Sequence, residues 1–247
     1  MTMNHVEPCS TPTRVSRRPG PLLISFSGID GAGKSTQINA IRSRLREAGF
    51  RVRLITFWDD VAGFGRAREF LTHTLFKSEK GMGVPGRPVQ RRDKDVRGWY
   101  MTAARFVLYF LDALRLSAVV AKASAGTDVD VVLFDRYLYD ELANLELGSR
   151  LSRAYVRLLL KFVPRPDIAF VLDADPVRAR ERKPEYRLDF IRTNRASYLA
   201  LSSVAGGITV IPPLNAEEVT HRLLVEISRK LPQVPEAGLS GELLSSR

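Results

Sequence analysis

The stretch LLISFSGIDGAGKST, from Leu22 to Thr36, constrains the fold of this chain more than any other. It begins with an apolar run, Leu22–Ser27, which predicts a buried strand. Apolar residues at helical spacing then predict a helix over residues 35–48, which Gly49 ends. Between the strand and the helix, the glycine-rich segment fits the pattern G-x-x-x-x-G-K-[ST]. A strand, a tight turn and a helix in this order are the setting in which that pattern binds phosphate.

Each part of the pattern has a physical task. The glycines let the backbone turn so that its N–H groups point at phosphate oxygens, and the start of the helix adds its positive end. Lys34 can reach the β- and γ-phosphates, and Ser35 can bind Mg²⁺. The pattern therefore predicts ATP and Mg²⁺ as cofactors. The predicted nucleotide-binding residues are Gly28, Gly31, Ala32, Gly33, Lys34, Ser35 and Thr36.

The rest of the chain continues the alternation of strand and helix. Further strands are predicted over residues 51–57, 129–135, 167–175 and 208–213, and further helices over residues 64–76, 99–123, 150–162 and 216–230. This order predicts an α/β fold with a doubly wound, parallel, five-stranded sheet and helices on both faces. We expect one domain over residues 21–231 between mobile tails at residues 1–20 and 232–247. Residues 77–98, with seven Lys or Arg against three Asp or Glu, read as a flexible basic loop.

Composition narrows the class of protein. Hydrophobic residues make up 45% of the 247, which is enough for a sizeable core, and the net charge of +11 favours acidic partners such as nucleotides. The only cysteine, Cys9, excludes a disulfide framework and fits a reducing cytoplasm, and the three scattered histidines argue against a zinc site. The longest apolar stretch contains three charged residues, so we expect a helix outside the membrane.

A second carboxylate completes the predicted metal site. Asp135 ends the apolar run VVLFD, and the carboxyl end of a parallel strand lies at the ligand-binding edge of such a sheet. Asp135 is therefore the candidate for the Mg²⁺-side acid, although a helix-capping aspartate is the alternative. Arg136 follows at once and would suit a second anion. This pairing first indicates that the γ-phosphate moves to a phosphorylated acceptor.

Two motifs together resemble the thymidylate kinase family of nucleoside-monophosphate kinases, which has a P-loop NTPase fold. That family pairs a loop G-x-D-G-x-G-K-S-T with a D-R-Y triplet at the end of a later strand, and here the two read GIDGAGKST and FDRY. The segment PDIAFVLDADPVRARER resembles its strand, D-x-D-P turn and small basic lid (residues 176–187), and DFIRTNRASYLAL resembles its lid-following helix. The resemblance covers residues 22–231.

The resemblance implies roles for individual residues. Asp30 faces the acceptor's sugar and the transferring phosphate, Arg136 contacts the acceptor phosphate with Tyr137 beside it, and Asp135 acts through Mg²⁺. Gly31 stands where one branch of the family has arginine, and the other branch takes its catalytic positive charge from the lid. The basic residues of this lid are Arg178, Arg180, Arg182, Lys183 and Arg187. We favour Arg180 and Arg182, with Arg178 next, because phosphoryl transfer spreads negative charge that a mobile arginine can stabilise. For most of the five, the alternative is a solvated helix face. The predicted catalytic residues are Lys34, Asp30, Arg136, Arg180 and Arg182.

Several positions depart from the family. Asp60 stands near the place of a phosphate-binding arginine, and Ala113 follows Asp112 where the family has an arginine. Downstream of D-R-Y, Asp140 stands where the family has a serine, and Ala143, Asn144 and Leu145 stand where it has Ala-Tyr-Gln. Several thymine-reading groups are therefore missing.

Other residues could line the acceptor pocket instead. Arg105, Asp112 and Arg115 are predicted near one face of the long apolar helix, either as pocket-lining substrate-binding residues or as an internal salt bridge of a core helix. The aromatic side chains of Tyr109 and Trp58 could contact a base or belong to the core.

We therefore expect ATP- and Mg²⁺-dependent phosphoryl transfer to a nucleoside monophosphate, with dTMP first and a different, non-thymidylate acceptor as the alternative. A GTPase would be expected to carry an Asn/Thr-Lys-x-Asp guanine-reading motif, which the sequence lacks. A nucleic-acid-binding protein would be expected to show a stacked aromatic–basic motif, also lacking. The resemblance implies a homodimer, and we expect neither a nucleic-acid nor a membrane partner.

Overall fold

The centre of the fold is a single sheet of five parallel strands in the order β2-β3-β1-β4-β5. The structure, a computed structural model, describes residues 20–62, 99–126, 128–145 and 147–231. The strands are β1 (Leu22–Ser27), β2 (Val52–Thr56), β3 (Val131–Asp135), β4 (Ile168–Leu172) and β5 (Ile208–Ile211). The α-helices are α1 (Lys34–Glu47), α2 (Trp99–Ala125), α3 (Leu138–Leu142), α4 (Arg150–Phe162), α5 (Pro176–Arg182), α6 (Leu188–Ala205) and α7 (Ala216–Ser228).

The three central strands are mostly apolar and buried because both faces of the sheet are covered. Every residue of β1 and β4 is buried, and so are the first four residues of β3. Leu22, Ile24 and Phe26 pack with α1 and α7 on one face. Leu23 belongs to the cluster on the other face, which α2, α3, α4 and α6 cover. The edge strands β2 and β5 are only partly buried.

The strand register brings the functional segments to one edge. Phe26 at the end of β1 pairs with Asp135 at the end of β3, and Ser27 pairs with Val171 in β4. Because all strands run in the same direction, the loops that follow β1, β3 and β4 meet at the carboxyl edge of the sheet. The predicted fold class, a doubly wound parallel five-stranded sheet with helices on both faces, is confirmed.

Two short elements were not predicted. A π-helical turn, Phe57–Val61, follows β2, and the five-residue helix α3 follows the D-R-Y triplet. The helix predicted over residues 64–76, the basic loop at residues 77–98 and both tails up to residue 19 and from residue 232 lie outside the described residues. None of the helices in the described ranges combines the length and apolarity needed to cross a bilayer.

Candidate active site

The glycine-rich loop after β1 is held tightly against its neighbours. Gly31 has a φ of 83°, and a Cβ atom there would collide with the carbonyl oxygen of Ala179 in α5. Gly28 has a φ of 140°, and a Cβ atom there would lie 2.5 Å from the carbonyl oxygen of Leu172. Only glycine permits both the left-handed backbone and this close approach. The loop is therefore fitted between the end of β4 and the short helix α5.

Lys34 begins α1 and folds back over the loop. Its ammonium group donates hydrogen bonds to the carbonyl oxygens of Gly28 at 2.7 Å and Ile29 at 2.9 Å. Burial, followed by repulsion from Arg136, lowers the pKa of Lys34 from 10.5 to about 8. The lysine is thus a buried cation held at the centre of the loop.

Oxygen donors for a metal lie on both sides of Lys34. Ser35 and Thr36 are exposed on the first turn of α1, and Asp135 is half-buried at the end of β3. Burial raises the pKa of Asp135, against the opposing effect of Lys34. A carboxylate that burial destabilises, together with a hydroxyl, suits a hard cation such as Mg²⁺, which prefers oxygen ligands. Across the described ranges, no cluster of three or more His, Cys, Asp or Glu forms a metal site.

Arg136 occupies the corner after β3 in a strained conformation. Its φ of 70° lies in the left-handed region that side chains rarely adopt, and its N–H donates to the carbonyl of Phe26 at 3.0 Å. Its guanidinium donates to the Asp30 carboxylate and, at 3.1 Å, to Asp140. Burial acts to lower the pKa of Arg136, but the carboxylates of Asp140 and Asp30 outweigh it and raise the pKa. The corner therefore holds a fixed, fully charged arginine.

Asp140 is a functional candidate that the sequence reasoning recorded only as a departure. It is 2% exposed and accepts hydrogen bonds from Ser27, Arg136, Tyr198 and the backbone N–H of Tyr137. The signal that could have identified it is its place four residues after Arg136, in a run that is otherwise apolar except for Glu141. A buried carboxylate at such a position needs partners.

Tyr137 lies in the core, which is a correction to the predicted substrate-binding set. Its side chain is 1% exposed, its ring packs edge-on against Phe134, and its hydroxyl donates to the carbonyl of Pro164. A ring so enclosed has no face for a ligand. Tyr137 instead supports the strand end behind Arg136.

The charged residues of α2 do not share one environment. Asp112 is 1% exposed, Arg105 is half-buried and Arg115 is exposed. Tyr109 is buried in the core. The three side chains therefore differ in exposure, and their role in acceptor binding stays a prediction.

Asp60 stabilises the turn after β2. The carboxylate of Asp60 accepts a hydrogen bond from the N–H of Thr56 at 2.7 Å, which closes the π-helical turn. Trp58 on the same turn is 37% exposed and packs edge-on against Phe57. At the place of the family's arginine, the chain thus has a carboxylate that stabilises its own turn.

The predicted lid is the helix α5, which begins with a side-chain cap. Asp175 accepts hydrogen bonds from the N–H groups of Val177 at 3.1 Å and Arg178 at 3.0 Å. At the other end, the guanidinium of Arg182 donates to the carbonyl of Gly31 at 3.1 Å. Arg180 is half-buried. The lid arginine Arg182 therefore touches the phosphate-binding loop directly.

A cavity of about 410 Å³ opens between the loop, the lid and the segment after β5. Its polar lining includes Asp173, Asp175, Arg178 and Arg182, and Ala32 of the loop lies at its floor. Asp173 is fixed by Arg195 of α6, whose Nε and Nη2 atoms each donate to it at 2.6 Å. The remaining wall is apolar and includes Ile211, Pro212 and Leu214.

Comparison with known proteins gives consistent relatives. The thymidylate kinase of Bifidobacterium longum (strain DJO10A) is 28% identical over 193 residues, covering 74% of this chain and 84% of that protein. A probable thymidylate kinase of Archaeoglobus fulgidus is 25% identical over 223 residues, covering 87% of this chain and 91% of that protein. A probable thymidylate kinase of Thermococcus kodakarensis is 27% identical over 219 residues, covering 85% and 98%.

The fold has a counterpart among solved structures. The thymidylate kinase from Candida albicans matches with a TM-score of 0.55 at 17% identity, covering 85% of this chain and 92% of that chain. No protein-family model matches the sequence. The resemblance that the loop and the D-R-Y triplet predicted is confirmed by these relatives.

Proposed function

We propose that the chain is a member of the thymidylate kinase family of nucleoside-monophosphate kinases and that it transfers the γ-phosphoryl group of ATP to a nucleoside monophosphate, dTMP being the first acceptor to test. The observation that supports this most is the meeting of two cationic centres at one sheet edge. Lys34 lies at the loop after β1, and Arg136 lies at the end of the neighbouring strand. The two are close enough for the charge of Arg136 to lower the pKa of Lys34.

The donor nucleotide is proposed to occupy the loop and the adjoining cavity. The triphosphate binds the N–H groups of residues 28–36 and the Lys34 ammonium, where the helix start favours anions. The base enters the cavity between Arg178 and the wall formed by Pro212 and Leu214. Mg²⁺, held through Ser35 and Asp135, would neutralise charge on the phosphates.

The acceptor phosphate is proposed to bind at Arg136, with Asp30 beside it. Arg136 is a fork-shaped donor already oriented by two carboxylates, so it can present its remaining N–H groups to a phosphate without reorganising. Arg182, which contacts the loop at Gly31, is the favoured lid residue for charge that develops on the transferred group, and Arg180 is the second candidate.

A specific observation supports the alternative, non-thymidylate acceptor. Asp60, near the family's phosphate-binding arginine, is used to close a local turn, and Ala113 is buried in the core. These two positions support an acceptor pocket that differs from the family's on the side of β2 and α2. A kinase of the same fold that acts on another mononucleotide is the second candidate.

A coupled assay for ADP release with dTMP, dUMP, UMP, CMP, AMP and GMP tests both candidates. We expect Mg²⁺-dependent release above the no-acceptor background with dTMP. Release with a different mononucleotide only would select the second candidate, and release with none of them would contradict the proposed function.

Lys34→Ala provides the matching test of the donor site. We expect turnover to fall by roughly 10²-fold or more, because the variant removes a cation that touches the transferring phosphates. The control is Lys161→Ala, an exposed lysine on α4 remote from the sheet edge, which should leave turnover unchanged. Turnover retained by Lys34→Ala would remove the loop lysine from the mechanism.

The proposed assembly is a homodimer through the long helices, without nucleic acid. Exposed apolar side chains support this face: Val107, Phe110 and Leu114 on α2, and Leu151, Leu158 and Phe162 on α4. The two helices pack against each other. A cytoplasmic location stays a prediction from the single cysteine.

A further inference from the structure

The carboxylate of Asp140 accepts hydrogen bonds from several segments around Arg136, the residue proposed to bind the acceptor phosphate. Its Oδ1 atom accepts from Arg136 at 3.1 Å and from the Tyr198 hydroxyl at 2.8 Å. Its Oδ2 atom accepts from the Ser27 hydroxyl at 2.6 Å and from the N–H of Tyr137 at 3.1 Å. The donors come from β1, the corner after β3, and α6. Asp140 therefore joins three segments that are distant in sequence.

The same carboxylate holds the backbone of the corner. Arg136 has a φ of 70°, in the left-handed region that is unfavourable for a residue with a side chain. The hydrogen bond from the Tyr137 N–H to Asp140 fixes the peptide that follows Arg136, and the bond from the Arg136 N–H to Phe26 fixes the one before it. Hydrogen bonds on both sides of Arg136 therefore hold it in this strained conformation.

The charge of Asp140 also bears on the guanidinium. Arg136 is only 16% exposed and lies between Asp140, 1% exposed, and Asp30, 21% exposed. A buried guanidinium needs a compensating charge on its enclosed side, and Asp140 supplies it there. Asp30 lies on the more open side, toward the loop.

We infer that Asp140 is a positioning residue that orients Arg136 for the acceptor phosphate, with Tyr198 of α6 as the residue that in turn fixes Asp140. The inference rests on the proposed function, in which Arg136 contacts that phosphate.

Asp140→Asn removes the charge of the side chain and keeps its shape. The hydroxyls of Ser27 and Tyr198 can rotate to accept from an amide NH₂, but Arg136 and the Tyr137 N–H can only donate. Whichever way the amide turns, one of those two donors loses its acceptor. Tyr198→Phe is the milder variant, because it removes one donor and keeps the ring.

Kinetics give the first readout. We expect Asp140→Asn to raise KM for the acceptor about tenfold or more, and Tyr198→Phe about threefold, while KM for ATP changes less than about twofold. Tyr155→Phe is the matched control, since it removes a tyrosine hydroxyl bond to the carbonyl of Phe106 and leaves the hydrogen bonds of Asp140 in place. That control should change neither KM.

The orientation of Arg136 can also be measured without turnover. In ¹⁵N spectra of the full chain, slow rotation of a doubly bridged guanidinium gives separate Nη signals, which Arg136→Lys identifies by their loss. We expect these signals to merge through faster rotation in Asp140→Asn and Tyr198→Phe, but not in Tyr155→Phe.

The outcomes separate the two proposals. Unchanged Nη signals in both variants would overturn the positioning role, whatever the activity. Equal increases in the two KM values, in proportion to lost thermal stability, would also overturn it and leave a purely structural role. If no mononucleotide is phosphorylated by the unmodified chain, the proposed function fails, while the guanidinium signals still decide whether Asp140 orients Arg136.

Discussion

At the scale of single residues, the site depends on charges that are buried and therefore sensitive to their surroundings. Lys34 is 6% exposed and shares the site with Arg136, another cation. Removing a cation from water favours its neutral form unless an anion compensates it. The lysine is thus poised to gain or lose a proton, whereas the arginine, whose pKa its two carboxylates raise, stays charged.

The lowered pKa of Lys34 predicts a pH-dependent affinity for the donor. Above about pH 8 the ammonium loses its proton, so we expect the Kd for ATP to rise by up to about tenfold per pH unit in that range. Isothermal titration between pH 7 and about 9.5 measures this. Lys34→Arg is the control, because a guanidinium stays charged; its affinity should not follow that rise. A flat profile for the unmodified chain would contradict the assignment.

The same proton affects folding with the opposite sign. The unfolded chain keeps the Lys34 proton up to its ordinary pKa of 10.5, whereas the folded chain releases it near pH 8. Between these values the unfolded chain binds more protons, so this group's contribution to the free energy of unfolding increases with pH. Weaker ATP binding in this window therefore cannot be attributed to Lys34 destabilising the fold.

At the scale of elements, the lid helix α5 and the loop are in direct backbone contact. The absence of a Cβ atom at Gly31 lets Ala179 approach, and Arg182 then reaches the loop carbonyl. Any side chain at position 31 would push against α5 at Ala179. The glycine at position 31 is therefore needed for the close packing of α5 against the loop.

Gly31→Ala tests this contact against a matched glycine. Gly33 has nearly the same φ, 86° against 83°, but a Cβ atom there meets nothing within 4 Å. The backbone strain of the two alanine variants is therefore alike, and only Gly31→Ala also pushes on α5. We expect faster trypsin cleavage after Arg180 and Arg182 in Gly31→Ala than in Gly33→Ala. Equal cleavage rates would mean that the contact does not hold the lid.

The elements also show what the sequence could and could not predict. Strand β1 and helix α4 were predicted within their observed bounds, because long apolar runs and helical spacing are local signals. Helix α3 has only five residues, and its place depends on Asp140 meeting partners from β1 and α6. The π-helical turn likewise depends on Asp60 closing it. Contacts between distant segments leave no periodic pattern in a sequence.

The residues of the candidate site were likewise predictable only in part. The loop and the D-R-Y triplet were recognisable because their chemistry needs particular residues in a fixed order. The burial of Tyr137 was not, since a tyrosine after a strand fits either a pocket or the core until its neighbours are known. The link from Arg195 to Asp173 spans 22 positions and joins two segments that were predicted separately.

At the scale of the whole molecule, the exposed apolar face of α2 and α4 carries positive charge. Arg115 and Lys122 on α2, and Arg157 and Lys161 on α4, are exposed, and the single acidic residue of these two helices, Asp112, is buried. An isologous dimer brings the same patch of both copies together. Its basic residues would then lie near one another.

This charge predicts that dimerisation strengthens with salt. Screening reduces repulsion between like charges while apolar burial persists, so we expect a higher dimer fraction at about 0.5 M than at about 0.05 M NaCl. Light scattering after size exclusion at both salt concentrations measures it. Leu158→Glu should shift the equilibrium to monomer, and Arg222→Glu, on α7 away from this face, serves as the control. A monomer at both salt concentrations would contradict the proposed dimer.

Helix α6 carries Arg195 and Tyr198 one turn apart. Arg195 binds the Asp173 carboxylate at the cavity, and Tyr198 binds the Asp140 carboxylate behind Arg136. A shift of this helix along or about its axis would therefore weaken both contacts together, because one helix supports the two carboxylates.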